Sequence, residues 1–161
     1  MKAIMTGSFD PITNGHLEII KKASQFFDEF YVVALLNSEK EYILSLDEKK
    51  ELMRLATAGM KNIIVDAYDG LTADYMHLHG IDKIIRGIRS KDDEEYEKKL
   101  ADIIKSYDSN FETIFIRSHG GFKKISSTLV KEMLKNGENI SDLVPENTYE
   151  KLIEFYQKHA K

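Results

Sequence analysis

The sequence predicts an α/β domain in which a mostly parallel sheet carries helices on both faces. Three observations predict it. Short apolar runs alternate with helix-period segments along the chain. The run Phe30 to Leu36 is apolar without interruption, as a strand buried on both faces must be. No low-complexity or linker-like stretch divides the 161 residues, which hold only two prolines, so a single domain is expected over 1–161.

The elements follow in order. Lys2 to Met5 is too short for a helix, and from Leu17 apolar residues return at Ile20, Ala23 and Phe27, so the chain opens strand, loop, helix. After the Phe30 to Leu36 strand, Ser45 and Glu48 form a capping box for a helix from about Leu46, whose buried side is Leu52, Met53, Leu55 and Ala56, with Gly59 as its end. Ile63 to Val65 is a third strand, Leu71 to His79 a helix stopped by Gly80, and Lys83 to Ile85 a fourth strand ending in Arg86-Gly87-Ile88-Arg89. The charged run Lys91 to Lys105 carries one apolar stripe at Tyr96, Leu100, Ile103 and Ile104. Thr113 to Ile116 is the fifth strand, Ser126 to Lys135 a helix stopped by Gly137, and Pro145-Glu146 opens a last helix to about Lys158.

Composition narrows the function. A hydrophobic content of 42% supports a sizeable core. A net charge of -4 argues against nucleic acid as a partner, because a general binder needs a basic face. No stretch approaches 18 consecutive apolar residues and no secretory signal is apparent, so a cytoplasmic protein without a membrane partner is expected. Zero cysteines exclude thiolate catalysis and cysteine-held zinc. His77, His79, His119 and His159 form no i, i+4 pair, so no protein metal site is expected. An anionic substrate must then be met by local cations. Lys40, Arg86, Arg89 and Lys123-Lys124 interrupt apolar or glycine-containing segments and are the candidates.

The strongest local signal is Gly7-Ser8-Phe9-Asp10-Pro11-Ile12-Thr13-Asn14-Gly15-His16, which joins a strand to a helix N-terminus. Unpaired N–H groups and the positive dipole end attract anions there, and glycine lets backbone approach a ligand. His16 is either a ligand-facing donor or a plain first-turn residue, and Thr13 either a ligand contact or a helix cap. Arg86 at the end of an apolar strand must reach an anion, or else a carboxylate in Asp92 to Glu95. Ile125-Ser126-Ser127-Thr128 sets three hydroxyls at a second helix start, for anion binding, capping or both.

Thr13-Asn14-Gly15-His16 matches the T/H-x-G-H motif of the nucleotidyltransferase superfamily, and Gly7 to Pro11 its G-[ST]-F-D-P. With Ile85 to Arg89, Glu95 to Glu97 and Ile125 to Glu132 added, the chain resembles the bacterial phosphopantetheine adenylyltransferase family along nearly its whole length. The resemblance implies a Rossmann-like, doubly wound sheet of five parallel strands in the order 3-2-1-4-5. Strands 1 and 4 would then flank the switch point, and the Gly7 to His16 loop would meet Arg86 to Arg89 over one crevice.

The activity implied is transfer of the adenylyl group of ATP to 4'-phosphopantetheine, giving dephospho-coenzyme A and pyrophosphate. Magnesium would arrive with ATP, the protein would be a homohexamer, and coenzyme A would act as a feedback inhibitor. By the resemblance His16, Lys40 and Arg89 are catalytic, and Ser8, Lys40, Thr72 and Arg86 hold phosphopantetheine. ATP would be met by Ser8, Phe9, His16, Gly87, Ile88, Arg89, Glu97, Phe122, Lys123, Lys124, Ile125, Ser126, Ser127 and Thr128. Taken alone, Lys40 reads as a solvated loop lysine and Glu97 as an exposed helix glutamate. Ser8 stands where the family usually has threonine. Ser118 to Lys124 departs further from the family, where an aromatic residue, often tryptophan, commonly sits near Phe122; its two glycines suggest a mobile lid.

The chemistry suits these residues. A phosphate monoester has a second pKa of about 6 and is already a nucleophile at neutral pH, so no general base is needed. Positioning and charge-assisted donors are what the reaction requires. The alternatives are another member of the superfamily, such as a nicotinamide mononucleotide adenylyltransferase or a glycerol-3-phosphate cytidylyltransferase, and more remotely a non-enzymatic nucleotide sensor.

Overall fold

The computed structural model describes residues 1–37 and 39–160. Five strands form one sheet: β1 (Lys2–Gly7), β2 (Glu29–Leu35), β3 (Ile63–Tyr68), β4 (Lys83–Ile88) and β5 (Glu112–Arg117). Their order is β3-β2-β1-β4-β5, and every pairing is parallel. The helices are α1 (Asn14–Ser24), α2 (Leu46–Ala56), α3 (Thr72–His79), α4 (Lys91–Tyr107), α5 (Ser127–Lys135) and α6 (Tyr149–His159).

Two apolar clusters cover the two faces. One packs Ala3, Met5, Val32 and Ala34 of the sheet against α1, α2, α5 and α6 through Ile19, Leu52, Val130 and Leu152. The other packs Ile4, Tyr31, Val33 and Ile84 against α3 through Tyr75 and Met76. Successive residues of β1 and β2 thus serve opposite faces, and the uninterrupted apolar run follows from that double burial.

Several elements end elsewhere than the sequence reading has them: β1 runs on to Gly7 and β3 to Tyr68, and α2 ends at Ala56 with Thr57 as its cap, short of Gly59. β4 runs on through Arg86, Gly87 and Ile88, so only Arg89 lies beyond the strand. The last helix starts at Tyr149, after a 3₁₀ turn at Glu146–Thr148. Ser118 to Lys124 contains a 3₁₀ turn at Gly120–Lys124. Two of the expected stops hold, with Gly80 at φ 65° and Gly137 at φ 72° in the left-handed region that glycine favours.

One feature of the sheet positions the site. β1 pairs with β2 over six residues, but with β4 only at Ala3↔Lys83 and Ile4↔Ile84. Beyond Ile4 the two central strands part at their carboxyl ends, where the strand order reverses. A crevice opens there.

Candidate active site

The carboxyl ends of β1 and β4 and the starts of α1 and α5 enclose a polar cleft of about 380 Å³. Each wall has a local cause. The Arg86 guanidinium spans the gap between the parted strands, donating from Nη1 to the Thr6 carbonyl at 3.1 Å, which replaces the missing ladder bond. Its Nε and Nη2 donate to both Glu97 oxygens, at 2.7 and 2.9 Å. This fork-to-fork pair joins β4 to α4 and fixes the plane of the guanidinium. The carboxylate partner is Glu97 rather than the Asp92 to Glu95 run. Arg89 does pair with that run, at 3.3 Å from Asp93.

α1 begins on the opposite wall. Thr13 is its N-cap, and its Oγ1 accepts the His16 N–H at 3.3 Å. The His16 ring reaches back, so that Nδ1 accepts the Thr13 N–H at 3.0 Å. Histidine therefore plays the part that glutamate or glutamine plays in an ordinary capping box. One consequence is chemical. A nitrogen that accepts a backbone N–H carries no proton, so the neutral ring holds its proton on Nε2 and presents a donor there. Burial, then the positive charges of Arg89 and Arg86, lower the His16 pKa from 6.5 to about 4. At neutral pH the ring is uncharged.

Phe9 holds the ring from the side, with centroids 4.9 Å apart. It is 1% exposed and takes φ 45°, a conformation rare for a bulky residue and typical of strained functional loops. Asp10 is fully buried, and its two oxygens accept the Ile43 N–H at 2.9 Å and the Leu44 N–H at 3.1 Å. It thereby ties the chain that carries Lys40 and Tyr42 to the first loop. Ser127 Oγ donates to the Pro11 carbonyl at 2.8 Å, bringing the start of α5 to the same loop. Gly15 makes that approach possible, since a Cβ there would stand 3.1 Å from the Ile125 carbonyl oxygen.

The structure brings Ser8, Phe9, His16, Lys40, Arg86, Gly87, Arg89, Ile125, Ser126, Ser127 and Thr128 to the cleft lining. Ser126 is at once the N-cap of α5, accepting the Leu129 N–H at 3.1 Å. Thr72 lies apart, in an apolar groove of about 240 Å³ that meets the cleft at Thr6 and Arg86. Ile88 is 2% exposed, and its side chain lies outside the lining. Phe122, Lys123 and Lys124 are exposed on the 3₁₀ turn, also outside it. Glu97 acts on the cleft through Arg86. Sequence reasoning missed Asp10 as a tie, and Tyr42, Ser118 and Lys131 as lining residues.

The arrangement gathers hydroxyls, helix N-termini, one neutral histidine donor and several cations around a cleft in which Asp10, the one lining carboxylate among the described residues, is already satisfied. It suits a polyphosphate. Nucleotidyl transfer is the class of chemistry that this fold and site define. The cytidylyltransferase-like family model matches residues 4–133, and the chain belongs to that family of nucleotidyltransferases. Its fold is also that of a Vibrio parahaemolyticus protein described, provisionally, as a nicotinate-nucleotide adenylyltransferase. The two share a TM-score of 0.69 at 18% identity, over 94% of this chain and 97% of the other. Among the described residues no helix is long and apolar enough to cross a membrane.

Proposed function

We propose that this protein transfers the adenylyl group of ATP to 4'-phosphopantetheine, forming dephospho-coenzyme A and releasing pyrophosphate. The observation that carries this reading is the union of two unlike spaces. The polar cleft can hold a triphosphate and an acceptor phosphate. The groove that joins it at Arg86 is lined by Leu71, Ala73, Leu100, Ile104 and Tyr107, with Thr72 and Thr113 as its polar points. A phosphorylated acceptor with a long, uncharged arm fits that pairing. The motif blocks spread along the whole sequence point the same way.

In this mechanism an oxygen of the acceptor phosphate attacks the α-phosphorus of ATP as the bond to the β-phosphate oxygen breaks, and that oxygen leaves with the electron pair as pyrophosphate. No proton needs to be removed from the nucleophile. His16 Nε2–H donates to a non-bridging α-phosphate oxygen, and Arg89 and the N–H groups at the start of α5 hold the leaving pyrophosphate. Lys40 and Arg86 hold the acceptor phosphate. Among the described residues no group of three or more histidine or acidic side chains is placed to hold a metal. A magnesium ion that comes with ATP would be held by phosphate and water rather than by this lining, and would offset charge on the triphosphate.

A second reading draws on the structural match, a mononucleotide acceptor of the nicotinate or nicotinamide kind. Pyrophosphate release measured with ATP and a panel of acceptors decides between them. The proposed enzyme prefers phosphopantetheine, and a larger kcat/KM for nicotinate mononucleotide, nicotinamide mononucleotide or glycerol-3-phosphate would assign the acceptor differently.

A further inference from the structure

Beside the cleft lies a charge that the mechanism above leaves unused. Lys49, on α2, is 1% exposed, and its ammonium nitrogen has no hydrogen-bond partner among the described residues. It sits 3.4 Å from the centroid of the Tyr42 ring. An ammonium removed from water without partners is costly, and contact with an aromatic face offsets only part of that cost. Burial is the largest influence on this group and lowers its pKa. The charge of Asp10 opposes the fall, while Lys131 and Lys40 add to it.

The neighbours show what the charge stands among. Asp10 is fully buried, with Lys131 Nζ 3.5 Å from its Oδ2 in addition to the two backbone donors. Lys131 thus pairs with the one carboxylate of this corner, and the charges of Lys49, Lys40 and Lys131 stand near enough to repel one another. Lys40, Tyr42 and Lys131 line the cleft, and Lys49 stands behind the Tyr42 ring. A fold gains no stability from like charges gathered around a single counter-charge. An incoming phosphate monoester dianion would supply the negative charge the corner lacks.

We propose that Lys49 is a positioning residue for the acceptor's phosphoryl group: from behind, its buried ammonium holds the Tyr42 ring, and with Lys40 and Lys131 it makes this corner selective for a phosphate monoester dianion. The proposal rests on a phosphorylated acceptor, as in the function given above. It does not depend on which one. Lys49→Met keeps the length and apolar bulk of the stem and removes the charge, whereas Lys49→Arg keeps a charge.

The experiment compares the full-length wild type with both variants. Melting temperature is read with and without inorganic phosphate, and KM is read for ATP and for whichever acceptor the wild type turns over. K49M is expected to melt no lower than wild type and to lose most of the stabilisation by phosphate. Its acceptor KM should rise about tenfold with ATP KM within about twofold, and K49R should recover at least half of the acceptor effect. A K49M protein that melts lower or fails to fold overturns the proposal, because Lys49 would then serve packing. So does an unchanged acceptor KM or phosphate response. If the wild type prefers nicotinate mononucleotide, the assigned acceptor fails while the Lys49 test proceeds on that phosphate monoester.

Discussion

The polar cleft and the apolar groove share Thr6 and Arg86 yet are built on opposite terms. In the cleft, side chains are fixed by named hydrogen bonds: Thr13 with His16, Arg86 with Glu97, Asp10 with Ile43 and Leu44. The groove is a surface of aliphatic and aromatic groups from the start of α3, from α4 and from β5, several of them half exposed. The difference separates two tasks. Directional donors stabilise charge that moves during a reaction, while an apolar groove selects a ligand by shape and length. In the proposed reaction the cleft would serve any phosphorylated acceptor, and the groove would choose among them.

The most severe break in that division is His16→Ala. It removes a donor aimed at the transferring group and leaves the groove untouched. The expected outcome in steady-state assays is a fall in kcat of about 10²-fold or more for every acceptor, with KM for ATP and acceptor little changed. A kcat near that of wild type would reduce His16 to a helix cap, since the capping box alone accounts for its position.

A smaller effect sharpens the other half of the comparison. Ala101→Trp fills the groove from α4 without touching the cleft. KM for phosphopantetheine should rise about tenfold with kcat within about threefold, while a short alkyl phosphate used as acceptor is unaffected. Equal losses for both acceptors would show that the groove does not hold the arm.

How much of this was legible in the sequence differs from residue to residue. Strand and helix alternation, the Ser45–Glu48 capping box and the stops at Gly80 and Gly137 depend on local chemistry, and the structure has them. The order of the strands, implied by resemblance, is also the order observed. The Thr13–His16 box went unread because histidine can stand in for glutamate there only as one tautomer, a state no sequence displays. Asp10, beside Pro11 in a loop, carries no local sign of its partners. Its partners lie 33, 34 and 121 residues away, and only the sheet's crossover brings them together. Lys49 sits in an Asp-Glu-Lys-Lys-Glu run that reads as a solvated helix face, until the fold buries it under Tyr42. Glu97 reads as an ATP contact by resemblance, and its ion pair with Arg86 is a second engagement that the sequence does not display.

The mildest prediction concerns acid. An unfolded chain protonates His16 near 6.5 and the folded one near 4, so between those values the unfolded state binds the additional proton. Stability contributed by this group is therefore complete above about pH 6.5 and is lost as pH falls toward 4. Urea unfolding at pH 7 and pH 5 should show a larger loss for wild type than for His16→Gln, which cannot take up the proton. An equal loss would mean that the imidazole is solvated. Ligand should narrow the gap, because a bound polyphosphate offsets the Arg86 and Arg89 charges that help depress this pKa. The His16 Cε1 proton, followed by NMR, should then titrate at higher pH with the ATP analogue bound than without it. A shift produced by the triphosphate but not by an uncharged pantetheine arm would tie the histidine to the cleft's charge balance and leave the groove electrically silent.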